Sequence, residues 1–276
     1  MARFSAVSRP RHEPPEHRMM LKLTHIYRYP VKGLSPESIT AATLVPGEGL
    51  EHDRRFAIAL STTEFDPASP QWLSKTHFLM LMRNATLALL DAHFDSGTGV
   101  LTLSLHGREV ASGDLTTVEG RREIETFFAT YMDDKIKGTP HILEAHGHMF
   151  SDTPLKVVSI IGQASLRDLE NTMKASVDHR RFRGNLYFDG GEPWQELSWL
   201  GREITVGEAR LKITARIDRC AAINVNPGTA ERDLNILKSL MKDFKHVDMG
   251  VYAQVLNGCT IHTGDEIRAS GDTGAS

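Results

Sequence analysis

The feature that most constrains the fold of this sequence is a series of short strand-like runs without a regular alternation of strand and helix. Each run ends close to Gly, Pro or Asn, as in LKLTHIY (21–27), SITAATLV (38–45), LKVVSII (155–161) and MGVYAQVL (249–256). Helical spacing of apolar residues occurs in EGRREIETFFATYM, GQASLRDLENTMK and ERDLNILKSLMKDF. The pattern predicts an α+β, β-rich fold with two barrel-like mixed-sheet lobes and a few flanking helices.

The segment KGTPHILEAHGHMFSDTP is interrupted by Gly, Pro and His, and we place the boundary between the lobes there. The first lobe is then expected over residues 21–145 and the second over 146–270. Residues 1–20 are polar and Pro-rich and lack the apolar stretch of a signal peptide, so they are expected to form a disordered tail, with a second tail at 271–276. No Gly-x-Gly-x-x-Gly motif follows a strand, which argues against a dinucleotide-binding fold.

Charge and cysteine content exclude several classes of function. The chain of 276 residues has a net charge of −3, which gives no electrostatic reason to expect nucleic acid or an anionic membrane as a partner. Two cysteines cannot form a disulfide framework or a self-contained iron–sulfur cluster, and they suit a reducing compartment. We therefore expect a cytoplasmic protein without a membrane span.

One of the two cysteines has cationic neighbours. Cys220 follows Arg219 and lies close to Arg216 in TARIDRCAAINVNPG. Nearby cations lower the pKa of a thiol and favour the thiolate, the form that binds metals or attacks electrophiles. The alternative is a buried structural thiol, since free cysteine packs as a small hydrophobic residue. Cys259 has no such neighbours and is interpreted as structural.

Three further motifs could bind an anion. Lys32 and Gly33 form a turn after the first strand, and Arg54 and Arg55 precede the strand FAIAL, where alternation should point one inward and one outward. RRFRGN supplies arginine forks that suit phosphate oxygens. Each motif alone could equally be a solvated surface. The histidines 141, 146 and 148 match no zinc template and are interpreted as a polar linker, and Asp152 could cap a turn or reach into a cleft.

Taken together, these motifs resemble a known family. IYRYPVKGLSPES and GLEHDRRFAI look like the N-terminal β-barrel module that precedes MOSC domains. FSDTPLKVVS, RRFRGNLYFDG, ARIDRCAAINVNPGTAERD and MGVYAQVLNGCTIHTGDEI look like the MOSC domain itself, the C-terminal domain of molybdenum-cofactor sulfurases. The resemblance extends from about Leu21 to Ile267. The family that the chain resembles includes amidoxime-reducing components and bacterial enzymes that reduce N-hydroxylated compounds.

The resemblance implies a molybdenum cofactor bound through a pyranopterin dithiolene, with Cys220 as the protein's metal ligand and a catalytic residue. Soft sulfur ligands suit such a metal. It implies a second catalytic residue, Asp152, as a proton carrier. The residues that it implies for cofactor binding are Lys32, Gly33, Arg55, Arg181, Arg183, Asn185, Asp218 and Arg219. Two of these depart from the family pattern, because Gly33 and Asp218 stand where relatives often have hydroxyl residues.

The expected function is that of a molybdenum-dependent oxidoreductase that removes oxygen from N-oxygenated small molecules. The alternatives are a sulfur carrier with a persulfide on Cys220, and a non-catalytic module that binds the cofactor. The cysteine count leaves no room for a ferredoxin module, so electrons are expected from a separate ferredoxin, cytochrome or flavoprotein. No lysine has the context of a Schiff base, so pyridoxal phosphate is not expected.

Overall fold

A computed structural model describes residues 20–270 of the chain. Its fifteen strands, numbered β1 to β15, are Leu21–Arg28, Glu37–Ile39, Ala41–Thr43, Phe56–Ala59, Leu90–Phe94, Val100–Leu105, Arg108–Asp114, His141–Glu144, Val158–Gly162, Leu186–Asp189, Glu203–Val206, Ala209–Asp218, Asp248–Asn257, Thr260–His262 and Glu266–Ala269. The three α-helices, α1 to α3, are Val118–Met132, Gln163–Met173 and Ile236–Ser239, and a π-helical turn, Leu240–Phe244, continues α3. Six short 3-10 helices also occur among these residues: Lys75–His77, Ala85–Leu89, Asp133–Lys135, His179–Phe182, Gln195–Trp199 and Ala221–Asn224. The predicted tails lie outside the described residues, except for Met20.

Seven strands close into a barrel in the order β10-β9-β13-β12-β11-β15-β1, because β1 pairs with both β15 and β10. Only β9 and β10 run parallel, so the sheet is mixed. Side chains that alternate along the strands fill its interior, for example Leu211 and Ile213 of β12 and Val251 and Ala253 of β13. The predicted β-rich α+β fold is confirmed.

The first lobe is assembled from smaller sheets around its own core. β4 pairs with β8, and β5, β6 and β7 form a meander whose first turn lies at residues 95–99. Helix α1 packs its apolar side, including Ile124 and Phe128, onto this core. No closed ring of strands is present in this lobe among residues 20–270.

Three strand pairings join the first predicted domain to the second. Strand β1 pairs with β10 and β15 and belongs to the barrel, and β3 pairs with β14 in a separate two-stranded sheet. The division at residue 145 stays a prediction, while the first strand of the described residues completes the core of the second lobe.

The third helix is shorter than the sequence predicts. The segment 231–244 has helical spacing, but α3 begins only at Ile236, after the side chain of Asn235 caps it by accepting a hydrogen bond from Lys238 N–H. The preceding residues make tertiary contacts instead, because Glu231 O accepts from Asn226 N–H and Asp233 pairs with Arg181. These contacts override local helix propensity.

No helix among residues 20–270 has both the length and the apolar character required to cross a membrane.

Candidate functional site

A cavity of about 420 Å³ lies where the end of β1, the ends of β12 and β13 and the loops of the first lobe meet. Of the predicted site residues, nine contribute to its lining: Lys32, Gly33, Asp152, Arg181, Arg183, Asn185, Asp218, Arg219 and Cys220. The fold thus brings together side chains that are up to 188 positions apart in the sequence, from Lys32 to Cys220. The volume lies within the range of about 300–1,000 Å³ that is usual for ligand pockets.

Cys220 lies two residues after the end of the long strand β12 and occupies the N-cap position of the 3-10 helix Ala221–Asn224. Its side chain is half-buried and contributes to the cavity wall. The sulfur is therefore not enclosed in the apolar core, as the structural interpretation of this thiol would require. Cys259, by contrast, packs against the barrel core.

Lys32, in the turn after β1, is buried and its ammonium group makes two hydrogen bonds. Lys32 is 7% exposed, and its ammonium donates to Phe150 O at 3.0 Å and to Asp152 Oδ1 at 2.5 Å. Burial lowers the pKa of Lys32, and the ion pair with Asp152 counteracts this only in part. Gly33 has a φ of +89°, and a Cβ there would lie 3.0 Å from Leu79 O, which explains why glycine occupies this position.

Asp152 is oriented by the same ion pair. Its side chain is about half exposed. Burial disfavours its ionised form, but the ammonium of Lys32 outweighs this effect and holds the pKa of Asp152 below its ordinary value. Asp152 is consequently ionised at neutral pH, where it can accept a proton and orient Lys32 but cannot store a proton for later donation.

At the arginine pair, the structure differs from the sequence expectation. Arg55 does not contribute to the cavity: its Nε donates to Glu144 at 2.7 Å, and its guanidinium lies over Phe56. Arg54 faces the cavity instead. The reason is the backbone of Arg54, whose φ of +49° reverses the direction of its side chain just before β4 begins.

Arg54 and Arg183 form a cationic pair around one aromatic ring. Each guanidinium lies 4.3 Å from the ring centroid of Tyr29, and Arg54 Nη2 donates to Arg183 O at 2.9 Å. Arg183 also has a positive φ, +52°, and a left-handed backbone costs a non-glycine residue about 1–2 kcal/mol. Non-glycine residues with a left-handed backbone, such as Arg54 and Arg183 in the wall of this cavity, are concentrated at functional sites.

Arg183 retains donors for a ligand. Its Nη1 donates to Leu34 O at 2.7 Å, while its Nε and Nη2 donate to no atom of residues 20–270. Burial lowers the pKa of Arg183 to about 10, so the group is still charged at neutral pH. An anion in the cavity would stabilise this charge.

The other predicted cofactor residues are mostly engaged by the protein itself. Arg181 bonds Asp233 and Asn224 O, and Arg219 donates to Met249 O and Phe182 O. Asn185 bonds Ser159 and Tyr27 O. Their side chains hold the cavity wall together and leave little donor capacity for a ligand. Asp218 is exposed at the rim.

Sequence reasoning missed Lys75. It contributes to the cavity from the start of the short 3-10 helix Lys75–His77 of the first lobe. Burial opposes its charge, but the Cys220 sulfur and the Asp152 carboxylate outweigh burial and raise the pKa of Lys75. A cation therefore does lie beside the thiol, as the cysteine argument required, but it comes from a residue 145 positions away rather than from the adjacent arginines.

Sequence reasoning also missed an apolar wall with three methionines, Met80, Met82 and Met149. Exposed Arg232 fixes part of this wall, since it donates to Met82 O at 2.7 Å and to Ala221 O at 3.2 Å. The loop after Cys220 and the wall are thereby connected. Flexible thioether side chains adapt to differently shaped ligands.

The donor set of the cavity fits a molybdenum cofactor. Cys220 offers a soft sulfur ligand. Arg183, which makes no ion pair with residues 20–270, offers positive charge for a phosphate beside Lys32 and Arg54, whose charges are paired with Asp152 and Asp53. The histidines 141, 146 and 148 do not join it, and residues 20–270 contain no cluster of three or more His, Cys, Asp or Glu suited to a metal ion.

Comparison with known proteins gives two family matches. The model of the MOSC N-terminal beta barrel domain matches residues 20–152, and that of the MOSC domain matches residues 145–268. Together they extend over nearly all of the described chain.

Individual relatives are distant. The chain is 24% identical to molybdenum cofactor sulfurase 2 of Culex quinquefasciatus over 84% of its own length and 34% of that protein's. It is 23% identical to the human mitochondrial amidoxime-reducing component 1, over 59% of its own length and 54% of that protein's. The chain therefore spans about a third of the curated sulfurases that it matches. Among solved structures, the YUAD protein from Bacillus subtilis aligns over 91% of this chain and 97% of its own, at 14% identity and a TM-score of 0.44.

Proposed function

The chain belongs to the MOSC family, with a MOSC N-terminal beta barrel domain before its MOSC domain, and from this we propose that it is a molybdenum-cofactor-dependent oxidoreductase acting on N-oxygenated small molecules. The observation that carries the proposal is the half-buried thiol of Cys220 in a cavity whose walls bear Lys32, Arg54 and Arg183. When bound, the cofactor would supply the two-electron removal of oxygen from the substrate.

In this proposal the protein's own residues hold and orient the reacting groups. Cys220 is the metal ligand, and the free donors of Arg183 and the ammonium of Lys32 bind the phosphate of the cofactor. Lys75 offsets negative charge at the sulfur. Asp152, held ionised by Lys32, accepts and relays protons at the half-exposed side of the cavity rather than donating a stored one.

The substrate would lie against the apolar wall. Met80, Met82 and Met149 give this wall an adaptable shape, which suits small organic molecules of varied outline. The electrons would come from a separate ferredoxin, cytochrome or flavoprotein. The working compartment in this proposal is the cytoplasm.

The test is molybdenum content and turnover of the chain produced in a host that makes the cofactor. We expect the wild-type protein to bind about one molybdenum per chain and to reduce an amidoxime with chemically reduced viologen as electron donor. Cys220→Ser should lose the activity and most of the metal, whereas the control Cys259→Ser should keep both. Metal-loaded wild-type protein without N–O turnover would contradict the oxidoreductase and leave a non-catalytic cofactor-binding module.

The second candidate is a sulfur carrier, which Lys75 beside the Cys220 sulfur supports because a cation stabilises an anionic sulfur. Mass spectrometry of the intact protein distinguishes the two. A gain of one sulfur atom on metal-free protein, absent from Cys220→Ser, would favour the carrier.

A further inference from the structure

A second cavity, of about 510 Å³, lies in the first lobe and shares no lining residue with the cavity around Cys220. The segment 78–84 contributes to both, since Leu79–Met82 line the first and Phe78, Arg83 and Asn84 line the second. The proposed function uses none of the residues of this second cavity.

Three cationic side chains surround it without a counter-ion. Arg83, Lys135 and Lys137 contribute to its lining, all three are exposed, and none makes an ion pair with a residue in the range 20–270. Asp133 and Asp134 are close in sequence but do not line the cavity. Three like charges around one concave surface repel each other, and an anion between them would remove that repulsion.

The backbone holds these cations in place. The hydroxyl of Ser61 donates to Lys137 O at 2.6 Å, which attaches the chain around Lys137 to the loop after β4. Residue 83 is in turn fixed by the bond from Arg83 N–H to Met80 O at 3.0 Å. The cationic groups therefore belong to positioned segments that form a defined cavity.

Asn84 adds an amide donor at the cavity surface. The residue is 8% exposed, and its Oδ1 accepts a hydrogen bond from Met80 N–H at 3.3 Å, which fixes the orientation of the side chain. Nδ2 donates to no atom of the described residues and stays accessible from the cavity. A positioned amide donor of this kind can bind an anionic oxygen without first breaking a hydrogen bond within the protein.

Much of the remaining surface is apolar. Leu60 and Ile136 are partly exposed and lie beside the cations, Phe78 closes the wall behind them, and Ser61 and Thr62 add hydroxyl groups. An apolar surface next to a cationic rim suits a molecule with an anionic group on a compact apolar body. The cavity volume is within the range of about 300–1,000 Å³ for small-molecule sites.

We propose that this cavity is a binding site for a small organic anion, separate from the site of Cys220. A carboxylate or phosphate group would contact Arg83, Lys135, Lys137 and the amide of Asn84, and the apolar body would pack on Leu60 and Ile136. The proposal does not depend on the molybdenum cofactor.

The test is isothermal titration calorimetry of the full chain with phenyl phosphate, benzoate and, as a neutral probe, benzyl alcohol. We expect at least one anion to bind saturably and benzyl alcohol not to bind. Replacing all three cations, R83Q with K135Q and K137Q, should weaken the anion about tenfold or more. The matched control R122Q with K174Q and K238Q, which removes three exposed cations elsewhere, should change the affinity less than twofold.

Two single variants separate this site from the first cavity and from loss of folding. Asn84→Asp keeps the acceptor for Met80 N–H, replaces the donor by a negative charge, and should abolish binding while the thermal unfolding midpoint stays close to that of the wild type. Arg183→Gln, in the first cavity, should leave the anion affinity unchanged. The proposal is overturned if neither anion binds, if the triple variant binds as well as its control, or if Arg183→Gln alone removes binding.

Discussion

Arg54 and Arg55 are neighbours in the chain, but only the first faces the cavity. Alternation along a strand predicts that one of them points inward, and this holds. It cannot tell which one, because the left-handed backbone of Arg54 lies outside the strand and sets the direction independently. Lys32, Arg183 and Cys220 were found from local motifs. Lys75 was not, since it lies in a single-turn 3-10 helix between β4 and β5 whose position beside the sulfur depends on tertiary contacts without a sequence signal.

Arg54 and Arg55 can be distinguished by mutation. Arg54→Lys keeps the charge but loses the planar fork over Tyr29, and it should lower the molybdenum content of the purified protein several-fold. Arg55→Gln breaks a partly buried ion pair with Glu144, and it should cost about 1 kcal/mol of unfolding free energy while the molybdenum content is retained. Metal analysis and urea unfolding measure the two effects. The opposite pattern would restore Arg55 as the cofactor residue.

A second residue-scale prediction concerns the ion pair of Lys32. Its pKa is already below 10.5 because of burial, and Asp152 holds it up. Asp152→Asn should therefore lower the pKa of Lys32 further, so its charge is lost at a lower pH. For Asp152 itself, the depressed pKa means that the stability from this pair is present above pH 4 or so and is lost as the pH falls through the folded pKa.

NMR of protein with ¹³C-labelled lysine measures the Lys32 titration directly. The midpoint should lie below the ordinary value of a lysine side chain and should decrease in Asp152→Asn. An unchanged midpoint in the variant would show that Asp152 does not act on Lys32 in solution.

At the scale of elements, turns and strand ends determine the site. The cavity is formed by the turn after β1, the end of β12 and the 3-10 helix that ends at Phe182. The turn contains Gly33 and the 3-10 helix is followed by Arg183, and both residues have a positive φ. The sequence predicts these elements well, because Gly and Pro mark their ends. It does not predict where α3 begins, because contacts of Asp233 with Arg181 replace the first helical turn.

The turn after β1 is the most tightly packed of these elements. Gly33→Ala must adopt a φ of +89° and place its methyl group 3.0 Å from Leu79 O. Gly107→Ala, in the turn between β6 and β7, has a similar φ of +75° but no heavy atom within 4 Å. We expect Gly107→Ala, the control, to lose about 1–2 kcal/mol of unfolding free energy and Gly33→Ala to lose about 1–3 kcal/mol more. Equal losses of unfolding free energy in the two variants, measured by urea unfolding, would show that the turn after β1 can shift to accommodate the methyl group.

At the scale of the whole molecule, the barrel depends on β1, the first strand of the described residues. β1 pairs with β10 and β15 and contributes Leu23 and Ile26 to the barrel core. Its partners in the barrel lie 160 to 246 residues away, so sequence pattern alone predicts the strand but not its place. The boundary at 145 follows from local punctuation, which contains no information on such long-range pairing.

A fragment experiment tests this dependence. A chain of residues 145–270 lacks β1 and leaves the edges of β10 and β15 unpaired, which favours aggregation. We expect residues 20–270 to unfold cooperatively in circular dichroism and the shorter fragment to show no cooperative transition. Cooperative unfolding of a monomeric 145–270 fragment would show that β1 is not required.

The central claim is that Cys220 provides a metal ligand in a cationic cavity. X-ray absorption at the molybdenum edge tests it most directly, on protein purified from a host that makes the cofactor. We predict one more sulfur neighbour of the metal in the wild type than in metal-bearing Cys220→Ser, and the same number in Cys259→Ser as in the wild type. Identical sulfur coordination in the wild type and Cys220→Ser would contradict the account.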